Sequence, residues 1–266
     1  MSGDELFALL VSIALGGIGW KLWIEGLLTL KPEFRRSSTR LLATVTPLLS
    51  AAIMFFVLRQ WAAHDVRSSG VYTGFYLAMW FGWTGAMNFL LGIVGLSCRG
   101  DVLERGNPAA GLAVSGAMLG LTIAFAGGNI GDGPGWWVVI FSAGLASATM
   151  LGLWIAGDFL SRVADAVTID RDVAAGWRTW GFFVGTGLIL GRAVAGDWHS
   201  GGQTVVDFIA KGWWALVLWA IAVGLDVLLR PTPHKPAPNR LLCGLLPGLL
   251  YLAASVVVVL WQGTWR

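Results

Sequence analysis

Eight apolar runs, each about 20 residues long or slightly longer, follow one another through this sequence. They cover residues 6–30, 41–61, 71–97, 108–130, 135–160, 174–196, 204–229 and 241–262. As a helix rising 1.5 Å per residue, each run can cross a hydrocarbon core of about 30 Å. Membrane-spanning β-strands would instead be short segments of alternating polarity. The sequence therefore predicts an all-α, polytopic bundle of about eight transmembrane helices, with the lipid bilayer as its first partner.

The composition agrees with a membrane location. Of the 266 residues, 56% are hydrophobic and 12% are charged, against about 25% charged residues in soluble domains. Asp4 and Glu5 stand where a cleaved signal peptide needs basic residues, so the first run is predicted to remain as a span. The net charge of +3 forms no basic stripe, which argues against nucleic-acid binding. Cys98 and Cys243 lack the spacing of a metal site, and we expect no metal and no cofactor.

Basic residues in the loops predict the orientation of the chain. They concentrate in alternate loops: Lys31, Arg35, Arg36 and Arg40 in the first, Arg99 and Arg105 in the third, Arg162 and Arg171 in the fifth, and Arg230, Lys235 and Arg240 in the seventh. The positive-inside rule places these loops in the cytoplasm and both chain termini outside. The seventh loop also carries Pro231, Pro233, Pro236 and Pro238, which predict an extended connector.

One stretch of the sequence occurs twice. A shift of 65 residues superimposes Arg105–Gly120 on Arg171–Gly185 to within one position and places Gly131 and Asp132 on Gly196 and Asp197. The following runs also match, because DFLSR at 158–162 corresponds to DVLLR at 226–230. A unit of two helices has an even number of crossings, so this pattern predicts an internal parallel repeat. The predicted regions are 1–104 with three spans, the helix pairs 105–169 and 170–230, and 231–266 with the last span.

Both copies begin with a residue suited to cap a helix. Asn107 precedes Pro108, and an Asn–Pro pair favours an N-cap followed by the first helical residue. Asp172 occupies the corresponding place in the second copy. We therefore predict that Asn107 and Asp172 accept hydrogen bonds from the exposed amides at the helix starts.

Glycines four residues apart follow in both copies. Gly116 and Gly120 in the first copy, and Gly181 and Gly185 in the second, form GxxxG patterns. Such glycines share one helix face and allow another backbone to approach closely. The pattern favours tight packing between spans, and the alternative is a substrate path or a flexible joint.

Carboxylates and arginines inside the apolar runs are the candidate site residues. Asp158 and Asp226 each have an arginine four residues later, Arg162 and Arg230, on the same helix face. These pairs predict either an interfacial ion pair that anchors each helix end or a proton, ion or solute site. Arg178 has no nearby partner in the sequence, so it could face a cavity or a lipid headgroup.

A second pair of aspartates lies at the other ends of the repeated helices. Asp132 stands in GDGPGWW and Asp197 in GDWHSGG, both rich in turn-forming residues. A structural role in a turn or at a helix start explains both, and a cation gate is the alternative.

The repeated stretch resembles a known family. GNPAAGLAVSGAMLGL and RDVAAG, the latter leading into GTGLILGRAVAGDW, are similar to the duplicated members of the domain-of-unknown-function 350 family. The resemblance covers about residues 105–230. It implies repeated helix pairs in a bacterial inner-membrane protein, and it implies no activity and no catalytic residues.

Three classes of function can be compared from the sequence: an enzyme, an interaction or scaffold subunit, and a transporter or channel. His64, His199 and His234 fall in predicted loops, and no catalytic motif is present, so we predict that the chain is not an enzyme and has no catalytic residues. The glycine faces favour a membrane-embedded interaction or scaffold subunit that forms a homo-oligomer or joins other membrane subunits. That subunit is the principal prediction, and the alternative, which the repeat and the paired aspartates favour, is a transporter or channel for a small solute or ion. A scaffold should turn its small-residue stripes outward, whereas a transporter should turn its ionisable residues inward.

Overall fold

The computed structural model describes residues 1–28, 38–230 and 239–263. Within these residues the fold is helical, and the only β-type pairing is one isolated bridge between Ala62 and Gly131. Several residues of the sequence analysis lie outside the described residues: Lys31, Arg35, Arg36, His234, Lys235 and the four prolines of the seventh loop.

Eleven α-helices occur in the described residues. They are α1 (Gly3–Leu28), α2 (Ser38–Gln60), α3 (His64–Ser68), α4 (Gly70–Ile93), α5 (Pro108–Gly127), α6 (Trp136–Ser161), α7 (Val163–Thr168), α8 (Val173–Val194), α9 (Gly201–Gly212), α10 (Trp214–Leu229) and α11 (Leu246–Trp261). Two π-helical segments, Cys98–Glu104 and Leu241–Leu245, precede α5 and α11.

Several of these helices can cross a membrane. Five are long and apolar enough: α1, α2, α5, α6 and the segment Leu241–Trp261. Two bent pairs raise the number to seven if each pair is one span: α4 with Cys98–Glu104, bent by 78°, and α9 with α10, bent by 42°. These five to seven helices indicate a multi-pass membrane protein.

The helices α2, α5, α8 and α11 form a row, which we call the central row, and all four run in the same direction. The hydroxyl of Thr46 on α2 donates to that of Ser115 on α5 at 2.8 Å. The packing of α5 on α8 is the most extensive in the fold, and α11 packs on the other side of α8. All but two residues of α5 are buried, so the middle of the row is the core of the protein.

The helices α1, α4, α6 and α10 run against the direction of the central row. Trp219 on α10 donates from its indole Nε1 to the carbonyl of Leu153 on α6 at 2.7 Å. Trp154 on α6 donates in the same way to the carbonyl of Val94, just after α4, at 3.0 Å. We call the end of the bundle where α5 and α8 begin the proximal end, and the end where they finish the distal end.

Candidate functional site

The predicted capping residues lie at the proximal end. The side-chain oxygen of Asn107 accepts from the amides of Ala109 and Ala110 at 3.0 and 3.3 Å. Its amide nitrogen donates to the carbonyl of Val167 at 2.8 Å, and the residue is fully buried. The carboxylate of Asp172 accepts from the amide of Ala174 at 2.9 Å. Both side chains thus satisfy backbone groups that a helix start leaves unpaired.

The four predicted glycines face helices of the same chain. A Cβ on Gly116 would lie 2.5 Å from the Cα of Trp180, and a Cβ on Gly120 would collide with the backbone of α8. A Cβ on Gly181 would collide with the backbone of Gly248 on α11, and one on Gly185 would lie 2.6 Å from the hydroxyl of Ser255. The GxxxG faces are therefore filled by packing within the central row.

The structure corrects the predicted ion pairs between residues four apart. Asp226 pairs with Arg178, whose Nε lies 2.5 Å from the carboxylate oxygen Oδ1, and not with Arg230. Asp158 accepts from the backbone amide of Ala164 at 2.8 Å and forms no salt bridge with Arg162 among the described residues. Since Arg162 and Arg230 follow the last helical residues of α6 and α10, helix periodicity no longer directs their side chains toward the aspartates.

The pair formed by Arg178 and Asp226 is buried between α8, α10 and the segment before α11. The side chain of Arg178 is 2% exposed and that of Asp226 12% exposed. Arg178 also donates from Nη1 to the carbonyl of Cys243 at 2.5 Å. The Thr179 hydroxyl has no hydrogen-bond partner and lines a cavity of about 20 Å³ beside Asp226, which is close to the space of one water molecule. The buried arginine thus has its counter-ion 48 residues away in the sequence.

The distal end holds a larger cavity, which we call the distal cavity, of about 390 Å³. Its floor is formed by the loops that follow α5 and α8. The amide of Asp132 donates to the Asp197 carboxylate at 2.8 Å, and the amide of Trp198 donates to the Asp132 carbonyl at 2.8 Å. Gly131 has a φ of +104°, and a Cβ there would collide with the backbone of Gly196, so this close approach of the two loops requires glycine.

Two buried polar side chains line the distal cavity with unused hydrogen-bonding atoms. Ser142 on α6 is 3% exposed, and its hydroxyl has no hydrogen-bond partner among the described residues. Asn129 is 6% exposed; its amide nitrogen donates to the carbonyl of Phe125 at 2.9 Å, but its side-chain oxygen accepts no bond from the described residues. Neither oxygen belongs to the fully enclosed side-chain atoms that lack a partner, so both can be reached from the cavity. The two atoms are therefore available to a ligand or to water.

A second cavity of about 390 Å³ adjoins the distal cavity. The two share the wall that carries Asp132, Asp197 and Lys211, and the second cavity adds Arg67 and Arg192. Arg192 donates to the backbone carbonyls of Gln262 and Gly263 beyond α11, at 3.2 and 3.1 Å. The distal end therefore has an acidic and a basic side.

The sequence pointed to part of this site. The sequence predicts that Asp132 and Asp197 lie in turns or at helix starts, with a cation gate as the alternative. Both residues line the distal cavity. Ser142 and Asn129 were not predicted, because a serine and an asparagine in or beside an apolar helix carry no signal of what they face. No group of three His, Cys, Asp or Glu side chains in the described part of the chain is placed to hold a metal ion.

The comparisons with known protein families, curated proteins and solved structures find no match for this chain. The family resemblance of residues 105–230 stays a prediction from their motifs. The fold itself defines the class: an all-helical, multi-pass membrane protein.

Proposed function

We propose that this chain binds a small solute in the distal cavity and moves it across the membrane, as a transporter or channel. The observation that carries the proposal is Ser142, which is 3% exposed, lines a cavity of about 390 Å³ and has a hydroxyl without a hydrogen-bond partner within the described chain. Small-molecule sites combine a preformed cavity with a few convergent polar groups of this kind.

Buried polar groups along α8 support movement of a solute through the bundle. Thr179 and Thr186 are buried, and neither hydroxyl has a hydrogen-bond partner in the described part of the chain. Seven residues apart, they lie on one face of the helix, two turns from each other. Arg178 lies beside the first of them, and ionisable groups within membrane helices commonly mark the paths of solutes and ions. These polar residues of α8 extend from the buried Arg178–Asp226 pair toward the distal cavity.

The scaffold hypothesis, which is the principal prediction from the sequence, rests in part on the glycine faces, and these are used within the chain. The GxxxG glycines contact α5, α8 and α11 of the same chain, and the Arg178–Asp226 pair is also internal. Internal small-residue stripes and inward ionisable groups are what the transport hypothesis predicts. Association with a second copy or with other membrane subunits remains a prediction, which native mass spectrometry in mild detergent would test.

The proposal includes a finer architecture. We propose eight spans, with α8 as the additional one, because its 22 residues extend for about 33 Å at 1.5 Å per residue. Its arginines reduce its hydropathy, and burial between other helices removes the need for an apolar surface. We also propose that helix pairs repeat in parallel, that the distal end and both termini face outward, and that the membrane is a bacterial inner membrane.

The test compares two buried serines on α6. Ser142→Ala is expected to leave the thermal stability unchanged or slightly higher, because the hydroxyl has no partner in the protein, and to weaken solute binding at the distal cavity. Ser147 is 2% exposed and accepts from the indole of Trp83 at 3.2 Å. Ser147→Ala should therefore lower stability without changing binding.

Binding is measured by intrinsic tryptophan fluorescence with ethylammonium, acetate, glycine betaine, sodium and glucose as probes, since Trp136 and Trp198 line the cavity. Flux of the bound probe is then followed in proteoliposomes. Binding by none of the probes, or equal binding by the Ser142→Ala and unaltered proteins, would contradict the proposal.

A further inference from the structure

The wall of the distal cavity carries more negative than positive side chains. Its acidic residues are Glu5, Asp65, Asp132, Asp197 and Asp207, whereas Lys211 is its only lysine or arginine among the described residues. Glu5 lies 3.9 Å from the N-terminal amine. The four aspartates form no salt bridge within the described residues. Four carboxylates thus have no salt-bridge partner among the residues that the structure describes.

The ends of α5 and α8 add to this negative potential. Residues 128–130 after α5 and residues 193–195 at the end of α8 line the same cavity. The last carbonyls of α5 accept from the amides of residues 128–130, so the negative potential comes from the aligned peptide dipoles, which act as roughly half a negative charge at the end of a helix. Two parallel helices therefore direct their negative ends toward the space that the aspartates surround.

Aromatic side chains complete the wall. Tyr72, Tyr76, Trp136 and Trp198 line the cavity. The faces of such rings attract organic cations, and the attraction is stronger where water is excluded. A divalent metal would need clustered oxygen, nitrogen or sulfur ligands, and no such group of three occurs in the described residues. The combination selects an organic cation over a metal ion.

We infer that the distal cavity binds an organic ammonium cation that carries N–H groups. The carboxylates and helix ends supply the negative potential, and the aromatic rings contact the alkyl part. The Ser142 hydroxyl and the Asn129 side-chain oxygen accept from the ammonium N–H groups, which gives both oxygens a partner that they lack among the described residues. This inference rests on the proposed function, since it names the solute class of the same cavity.

The test uses the purified full chain in detergent, with ethylammonium, sodium, magnesium and acetate compared at equal ionic strength. Ethylammonium is expected to change the tryptophan fluorescence saturably, and acetate and sodium are not. The double variant Asp132→Asn/Asp197→Asn should bind ethylammonium at least tenfold more weakly. Asparagine retains the Oδ1 acceptor that pairs with the Asp132 amide, so the two loops should stay folded.

The matched control is Asp170→Asn, an exposed carboxylate at the proximal end, which should bind ethylammonium like the unaltered protein. Equal binding by the double variant and the unaltered protein, or displacement of ethylammonium by lower concentrations of magnesium, would overturn the ammonium assignment. If another probe binds instead and Ser142→Ala weakens its binding, the cavity remains a solute site and only the ligand class is wrong. If no probe binds, the proposed function fails as well.

Discussion

Asp226→Asn is expected to destabilise the protein by about 3–5 kcal/mol, the usual effect of removing one partner of a buried ion pair. The replacement keeps the shape of the side chain and an oxygen that can accept from Arg178. It removes the counter-charge of a guanidinium that is 2% exposed. With that side chain enclosed, bulk water cannot compensate, and the acceptors that remain, the asparagine oxygen and the carbonyl of Cys243, are both neutral. The expected cost therefore comes from an uncompensated charge rather than from a lost contact.

An exposed pair on α1 provides the scale for comparison. Lys21 and Glu25 lie 3.7 Å apart, and their side chains are 69% and 45% exposed. Pairs of this kind contribute about 0.3–0.5 kcal/mol, so Glu25→Gln should be close to neutral. Replacing both buried partners, as Arg178→Met/Asp226→Leu, should recover most of the stability lost in Asp226→Asn, because no unpaired charge remains.

The free energy of unfolding is measured in mixed micelles by titration with sodium dodecyl sulfate and followed by circular dichroism. The two single variants, Asp226→Asn and Arg178→Met, together with the double variant give the coupling energy of the pair. An Asp226→Asn variant no less stable than Glu25→Gln would refute the reasoning. A double variant that loses the sum of the two single effects would refute it as well.

Three further predictions concern packing, capping and orientation. Gly120→Ala should destabilise the fold by about 1–3 kcal/mol, because its Cβ would collide with the backbone of α8. Gly152 has open space around it, so Gly152→Ala should be neutral or stabilising. Both variants are measured by the same micelle titration. Asn107→Ala removes a buried helix cap and should lower the free energy of unfolding by about 1–2 kcal/mol. Asn239→Ala removes an exposed cap and should lower it less. Unfolding of both variants is followed by circular dichroism. A Ser2→Cys variant without the two native cysteines should react with a membrane-impermeant maleimide in intact cells; reaction only after permeabilisation would reverse the predicted orientation.

Helices and caps could be predicted because their signals are local. Each apolar run contains at least one observed helix, and the Asn–Pro pair at 107–108 stands at the start of α5. The breaks were not predicted: the run 204–229 is divided into α9 and α10, which meet at a bend of 42°. No proline separates the two helices, and the single Gly212 does not distinguish this bend from a continuous helix.

The partners of the charged residues could not be predicted, because they depend on which helices become neighbours. Helix periodicity relates Asp226 to Arg230, and the same periodicity says nothing about α8. Arg178 lies 48 residues earlier, and its pairing with Asp226 follows from the packing of α10 on α8. The unpaired Ser142 is a similar case, since only the three-dimensional arrangement shows that it faces a cavity.

Residues that contact each other along the central row are separated by similar numbers of positions in the sequence. Thr46 contacts Ser115 after 69 residues, Asp132 contacts Asp197 after 65, and Arg178 contacts Cys243 after 65. Each pair of neighbouring helices in the central row is thus joined by a contact between residues 65 to 69 positions apart. When the sequence is compared with itself at a single shift of 65 residues, the pair α5 and α8 matches best.

The same contacts constrain how the protein can change shape. Gly116, Gly120 and Gly127 bring the backbones of α5 and α8 so close that a single added Cβ at any of them would clash. Backbones in such contact cannot separate without losing this packing along most of the seam. The seam between α5 and α8 therefore fixes the floor of the distal cavity, and under the proposed function a solute enters between that floor and the helices that flank the row. Among these, α9 carries Asp207 and Lys211 of the wall and meets α10 at the 42° bend.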